Sequence, residues 1–220
     1  MAYRSIALLA PALLLVGCGG KAEPTKAPND DPALAGPEAA DQNAGAGALP
    51  AADMSAQARD AARSAALSLV GGPGAMKKAP AAQAVGGKLP ADSQVYAAAR
   101  LAASPGGKGD CAQLAKYTAA WAAKLPEAFP VYPKGAVQEA AGTDEGACAL
   151  RVVNFITPVP VGEVIDFYFT RAAGAGYSAQ HIRQSGDDVL GGTKGGASFQ
   201  VYARALPKGG SSVDLITHGG

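Results

Sequence analysis

The stretch Val161-Gly162-Glu163-Val164-Ile165-Asp166-Phe167-Tyr168-Phe169-Thr170-Arg171-Ala172-Ala173 decides the fold. Val161, Val164, Ile165, Tyr168, Phe169 and Ala172 fall at i, i+3, i+4, i+7, i+8 and i+11, one continuous apolar stripe at the helical period. Glu163 suits the positive start of such a helix and Arg171 its negative end. Gly174 or Gly176 supplies the C-terminal cap. A stripe this wide needs an apolar sheet to pack on, and both flanks read as strands. Before it, Cys148 to Ile156 is the most apolar strand, with Leu150, Val152 and Ile156 facing one way and Val153 and Phe155 the other. Two buried faces make it a central strand. Thr157-Pro158-Val159-Pro160 separates it from the helix. After it, Tyr177–Gln184, Val189–Gly192, Ala197–Leu206 and Ser212–Thr217 read as strands joined by Gly-rich turns. Among these, Phe199, Val201 and Ala203 point inward against Gln200, Tyr202 and Arg204 outward. The order predicts an α+β fold, an antiparallel sheet with one main helix (161–173) on a face.

Farther out, Pro130 to Val137 reads as an extended entry or edge strand, where proline is tolerated. Gly142-Thr143-Asp144-Glu145-Gly146 is a turn. A helix is expected from Asp110 to Leu125, with Asp110 and Gln113 in a capping-box arrangement. Leu114, Tyr117, Trp121 and Leu125 recur along it at helical spacing, and Lys124 and Pro126 mark its end. Trp121, the only tryptophan, is expected to anchor the core rather than stack on a ligand. This helix is expected on the sheet face opposite helix 161–173, pinned there by a Cys111–Cys148 disulfide. Two alanine-rich helices precede it. One runs from Met54 to Val70 and stops at Gly71-Gly72-Pro73-Gly74. The other runs from about Ala91 to Ala103, with Val95, Ala98, Leu101 and Ala102 on one side. Their thin apolar stripes predict a peripheral position, and residues 75–90 read as irregular.

Composition bounds the function. The 220 residues carry a formal net charge of +1, and the longest basic run is Lys77-Lys78. Nothing in that balance suits a polyanion, so no nucleic-acid partner is expected. Charged residues make up 17 %, below the roughly 25 % of typical domains. The apolar 48 % is rich in alanine, which buries little area, so the core must lie after about residue 114.

The amino terminus has the three parts of a secretory signal over 1–17. Arg4 gives a positive start, Ile6 to Val16 an apolar core interrupted by Pro11, and small Gly17 precedes Cys18. The apolar run falls far short of the ~20 residues that span a bilayer. Leu15-Val16-Gly17-Cys18 resembles the lipobox of bacterial lipoproteins. That resemblance implies cleavage before Cys18, lipid on its thiol, and three acyl chains in all, each buried methylene adding about 0.8 kcal/mol of membrane affinity. Gly19 follows the cysteine, where an aspartate signals inner-membrane retention in many such proteins. The resemblance therefore favours the periplasmic face of the outer membrane over the inner membrane. Residues 18–52, with Pro24, Pro28, Pro32, Pro37 and Pro50 and no aromatic residue, read as a disordered tether reaching ~30 Å. The regions are thus 1–17 signal peptide, 18–52 lipidated cysteine and tether, 53–109 alanine-rich helices, and 110–218 the α+β domain. Val131-Tyr132-Pro133-Lys134-Gly135-Ala136, with Asp166-Phe167-Tyr168 and Ala175-Gly176-Tyr177, resembles small periplasmic α+β domains of bacterial lipoproteins over roughly 126–218. Those share a "YPGA" entry, which Lys134 interrupts here, and the likeness brings no catalytic residues.

Three cysteines fit this assignment as one lipid site and one bridge, Cys111–Cys148. The alternative, a redox pair or thiol nucleophile, has no Cys-x-x-Cys and no histidine near either cysteine in sequence. His181 and His218 lie at no metal-ligand spacing, so no metal and no cofactor are expected. His181 alternates with Arg183 on a polar strand, and His218 sits at a frayed end. Gly191-Gly192-Thr193-Lys194-Gly195-Gly196 lacks P-loop spacing and reads as a hairpin turn. Arg151 on the central strand is satisfied at a sheet edge or belongs to a polar pocket. The leading expectation is a non-enzymatic lipoprotein held to the membrane by its anchor, with an envelope protein as partner. A small-ligand carrier using the space between helix 161–173 and the sheet is the alternative. An enzyme would need Asp187, His181 and Arg151 to converge.

Overall fold

The computed structural model describes residues 51–86, 94–104 and 110–219, so Cys18, the signal segment and the tether up to residue 50 lie outside the described residues. The helices are α1 (Ala56–Leu69), α2 (Gln94–Ala103) and α3 (Val161–Gly174). The strands are β1 (Gln83–Ala84), β2 (Lys116–Tyr117), β3 (Ala136–Thr143), β4 (Leu150–Thr157), β5 (Gln180–Gln184), β6 (Asp187–Lys194), β7 (Ala197–Ala205) and β8 (Ser211–His218). They form one sheet in the order β1-β5-β6-β7-β8-β4-β3-β2. Only the β1–β5 pairing is parallel. The fold is α+β.

The anticipated stripe of α3 faces the sheet. Val164, Ile165, Tyr168 and Ala172 are buried with Val153, Phe155, Leu190, Phe199, Val201 and Leu215 in one apolar core. The helix is covered more widely than the stripe implied, because Phe167, Asp166 and Thr170 are buried too. A second layer accounts for this. The α1 helix contributes fully buried Ala62 and Ala66 to the same core. Its Arg63 meets Glu163 in the first turn of α3 through two hydrogen bonds, Nε–Oε2 2.7 Å and Nη2–Oε1 2.6 Å. The thin stripe of α1 thus buries Ala62 and Ala66 at the margin of the main core, and the Arg63–Glu163 pair ties the helix to the start of α3.

The strand β4 lies between β8 and β3, as its apolar run predicts. Its two faces differ: Val153 and Phe155 are fully buried, whereas Val152, Asn154 and Ile156 opposite are half-buried. The turn between β5 and β6 is Ser185-Gly186, with φ of 54° and 93°. Two consecutive left-handed residues make the hairpin twist that matches paired strands.

The largest departure is the expected helix 110–125. Asp110 does accept from the Ala112 amide (3.0 Å) and from Gln113 Nε2 (3.2 Å), but over a turn. Lys116-Tyr117 then pairs with β3 as β2, and a 3₁₀ helix, Ala119–Lys124, follows. Cys111 is tied to Cys148, and Lys116 and Tyr117 pair with Gly142 and Ala141 of β3. These tertiary pairings outweigh a stripe whose Leu114 and Tyr117 stay exposed. Trp121 also lies on the other side from expectation. It packs over Gly142, on the face that carries α3, where a Cβ on Gly142 would come within 2.7 Å of the indole. The opposite face is taken by α2, which contacts β6, β7 and β8. Ala102 of its stripe is buried there, while the side chains of Val95, Ala98 and Leu101 lie outside the described set.

Residues 75–86, expected to be irregular, form a strap. It crosses α3, where the Lys77 amide donates to Thr170 Oγ1 (2.9 Å) and the Ala79 amide to Asp166 Oδ1 (2.9 Å). It then rounds the β5 margin as β1, and Val85 packs with Ile182 and Val189 on the α2 side. The segment thus carries the chain from one sheet face to the other.

Candidate functional site

Cys111 and Cys148 form a disulfide, S–S 2.05 Å with Cα atoms 5.6 Å apart. Both are buried with Ala102 and Leu150. The Cys111 amide donates to Ala103 O (3.0 Å), so the bridge fastens the exit of α2 to the start of β4. It holds α2 and not the Trp121 segment.

Two hollows flank Arg171 in the last turn of α3. Its Nε donates to Ala128 O (3.1 Å), Nη1 to Leu69 O (3.0 Å) and Nη2 to Glu127 O. One guanidinium thereby joins the ends of α1 and α3 to the segment before β3. On one side lies a groove of about 710 Å³, reached by Leu69, Val70, Lys77 and Thr170. On the other lies one of about 640 Å³, reached by Leu69, Leu125, Pro130 and Val131. Leu69 is 46 % exposed and borders both. Their walls mix apolar Leu69, Val70, Leu125 and Val131 with the charged Arg171, Glu127 and Lys77. The space between α3 and the sheet offers no such room, being filled by the buried Val164, Ile165, Phe199, Val201 and Leu215.

The charged residues singled out in the sequence do not converge. Arg151 on β4 donates to Thr143 O, Leu150 O and Lys124 O, and to Asp144 Oδ1 at 2.5 Å. That ion pair holds the Asp144 carboxyl below its ordinary range. The Arg151 guanidinium and Lys124 Nζ sit 4.7 and 4.3 Å from the Trp121 ring centre. Arg151 is thus satisfied within the sheet, and Trp121 is an anchor at the core's rim. Asp187 on β6 pairs with Arg204, which also holds Asp214. His181 on β5 engages the neighbouring Asp188, which is the residue paired with Arg183 in register. The sheet order puts β7 and β8 between β6 and β4, so Asp187, His181 and Arg151 share no site. The sequence pointed to Asp187, but strand pairing selects Asp188. The two lie on opposite faces of β6.

His218, expected at a frayed end, is the last residue of β8 and is paired on both sides, with Leu150 and Ser198. It is 5 % exposed, and burial lowers its pKa from the usual imidazole value. Among the described residues no three His, Cys, Asp or Glu side chains are grouped to hold a metal, and no helix is long and apolar enough to cross a membrane. No protein-family model, curated protein or solved structure matches this chain.

Proposed function

We propose that the chain is a non-enzymatic bacterial envelope lipoprotein that presents its α+β domain in the periplasm as a binding module. The observation that carries this reading is Leu15-Val16-Gly17-Cys18 closing a short apolar run behind Arg4. The proline-, alanine- and glycine-rich composition after Cys18 supports it as a spacer between membrane and domain. The paired grooves around Arg171 supply a surface for an envelope partner. The disulfide is at home in an oxidising compartment. Gly19 after the cysteine favours the outer membrane, periplasmic face.

Labelling of cells with a fatty-acid probe tests the anchor: the native chain takes up label and Cys18→Ala does not. Label retained by Cys18→Ala refutes the lipidation site. A photo-crosslinking residue placed at Leu69 tests the binding surface in the intact envelope. Crosslinks are expected from Leu69 and not from exposed Arg100 on the opposite side of the sheet. A hydrolytic or transfer activity with a mapped nucleophile would overturn the non-enzymatic reading.

A further inference from the structure

We propose that His181 is a protonated clamp that fastens the strap over the β5 margin and lets go of it as pH rises. The geometry fixes the proton count. Nδ1 of His181 lies 2.8 Å from Pro80 O, and Nε2 lies 2.9 Å from Asp188 Oδ1. A peptide carbonyl only accepts, and an ionised carboxylate only accepts. Asp188 is ionised, because its other oxygen takes Arg183 Nη2 at 2.6 Å. Both ring nitrogens must therefore donate, and only the imidazolium has two N–H groups.

The neighbouring groups say which contact fails when that proton count changes. From β6, Asp188 faces the ring; from β5 itself, Arg183 shares that carboxylate. On α3, buried Asp166 takes Lys78 Nζ (2.7 Å) and the Ala79 amide of the strap, one residue before Pro80. When His181 loses a proton, one nitrogen turns a lone pair toward an oxygen less than 3 Å away. The remaining N–H stays with the charged carboxylate, where the hydrogen bond is stronger. The Nδ1 lone pair then opposes the Pro80 carbonyl, and that contact breaks. Closure takes up the proton, so it is complete at low pH and lost as pH rises through the ring's titration. The anchors at Asp166 and Thr170 hold residues 77–79 in place. Release is confined to residues 80–85, freeing the Val85 amide from Arg183 O (3.0 Å) and uncovering Ile182 and Val189.

Nitrogen NMR of the intact chain reads the ring directly, and amide exchange reads the strap. At about pH 5 both His181 nitrogens are expected to carry protons. Across the imidazole titration, Val85 protection, corrected for intrinsic exchange, is expected to drop about tenfold, the size of one charge-assisted hydrogen bond. Leu215 in the sheet centre is expected to hold constant. His181→Gln is expected to abolish the dependence at Val85. A neutral ring at about pH 5 with Val85 still protected overturns the proposal without any variant. Protection that does not change with pH, or a dependence that survives in His181→Gln, overturns it as well.

Discussion

The two faces of the sheet are buried by different means. On the α3 face, Phe155, Phe199, Val201 and Leu215 meet Val164, Ile165 and Tyr168, and all are essentially sealed from solvent. Aromatic contacts bind that layer: Phe129 stacks on Phe199 at 4.4 Å, and Phe167 meets Tyr132 edge-on at 4.9 Å. On the α2 face the buried residues include Leu150, Ala102 and the disulfide, a separate pair Ile182 and Val189, and polar Ser198, Gln200 and His218. The α3 face is one continuous apolar core, whereas the α2 face mixes polar strand positions with two smaller apolar clusters, one of them containing the disulfide. A crosslink fastens the exit of α2, and none fastens α3.

The largest test of that contrast is Phe167→Ala, which removes a fully buried ring of α3 that packs edge-on against Tyr132. It is expected to lower stability by about 3–5 kcal/mol, read by denaturant unfolding. Next is Cys111→Ser with Cys148→Ser. Loss of a bridge closing a separation of 37 residues is expected to cost about 2–4 kcal/mol. Amide exchange should localise that loss: residues 94–103 become unprotected while α3 keeps its protection. Equal loss in both helices would dissolve the distinction between the faces. The smallest effect is at His218. Burial depresses its pKa below 6.5, so the unfolded chain binds a proton before the folded one does. Stability is then full above about pH 6.5 and falls as pH drops, by at most about 1.4 kcal/mol per pH unit. His218→Phe is expected to flatten that limb in thermal unfolding across the acidic range.

Legibility in the sequence follows the same division. The α3 face could be read because local pattern and tertiary packing agree: the stripe from Val161 to Ala172 and the inward Phe199, Val201 and Ala203 are periodic and large. The α2 face could not, because its helix is alanine-rich and its position depends on a crosslink and on a strap rounding the β5 margin. Spacing misled most at 110–125. There Leu114, Tyr117, Trp121 and Leu125 imitate a helix, but only Trp121 and Leu125 of the four pack on the main core. Of the candidate site, the disulfide pair was readable; Arg151 could be read as a charge needing partners, but those partners, Asp144 and the carbonyls of Lys124, Thr143 and Leu150, could not. The grooves around Arg171 were not, since they arise where three segments distant in sequence end together. His181 could be seen as polar, but its carbonyl partner lies 101 residues away.

The guanidinium of Arg171 has a consequence for the order of folding. Its acceptors are Leu69, 102 residues earlier, and Glu127 and Ala128, 44 and 43 residues earlier. The complete fork forms only when α1, α3 and the segment before β3 have all arrived. Contacts of such separation close after the nucleus, so they govern how long the native state lasts and not how quickly it is reached. Removing the fork with Arg171→Leu should raise the unfolding rate and leave the folding limb of the chevron in place.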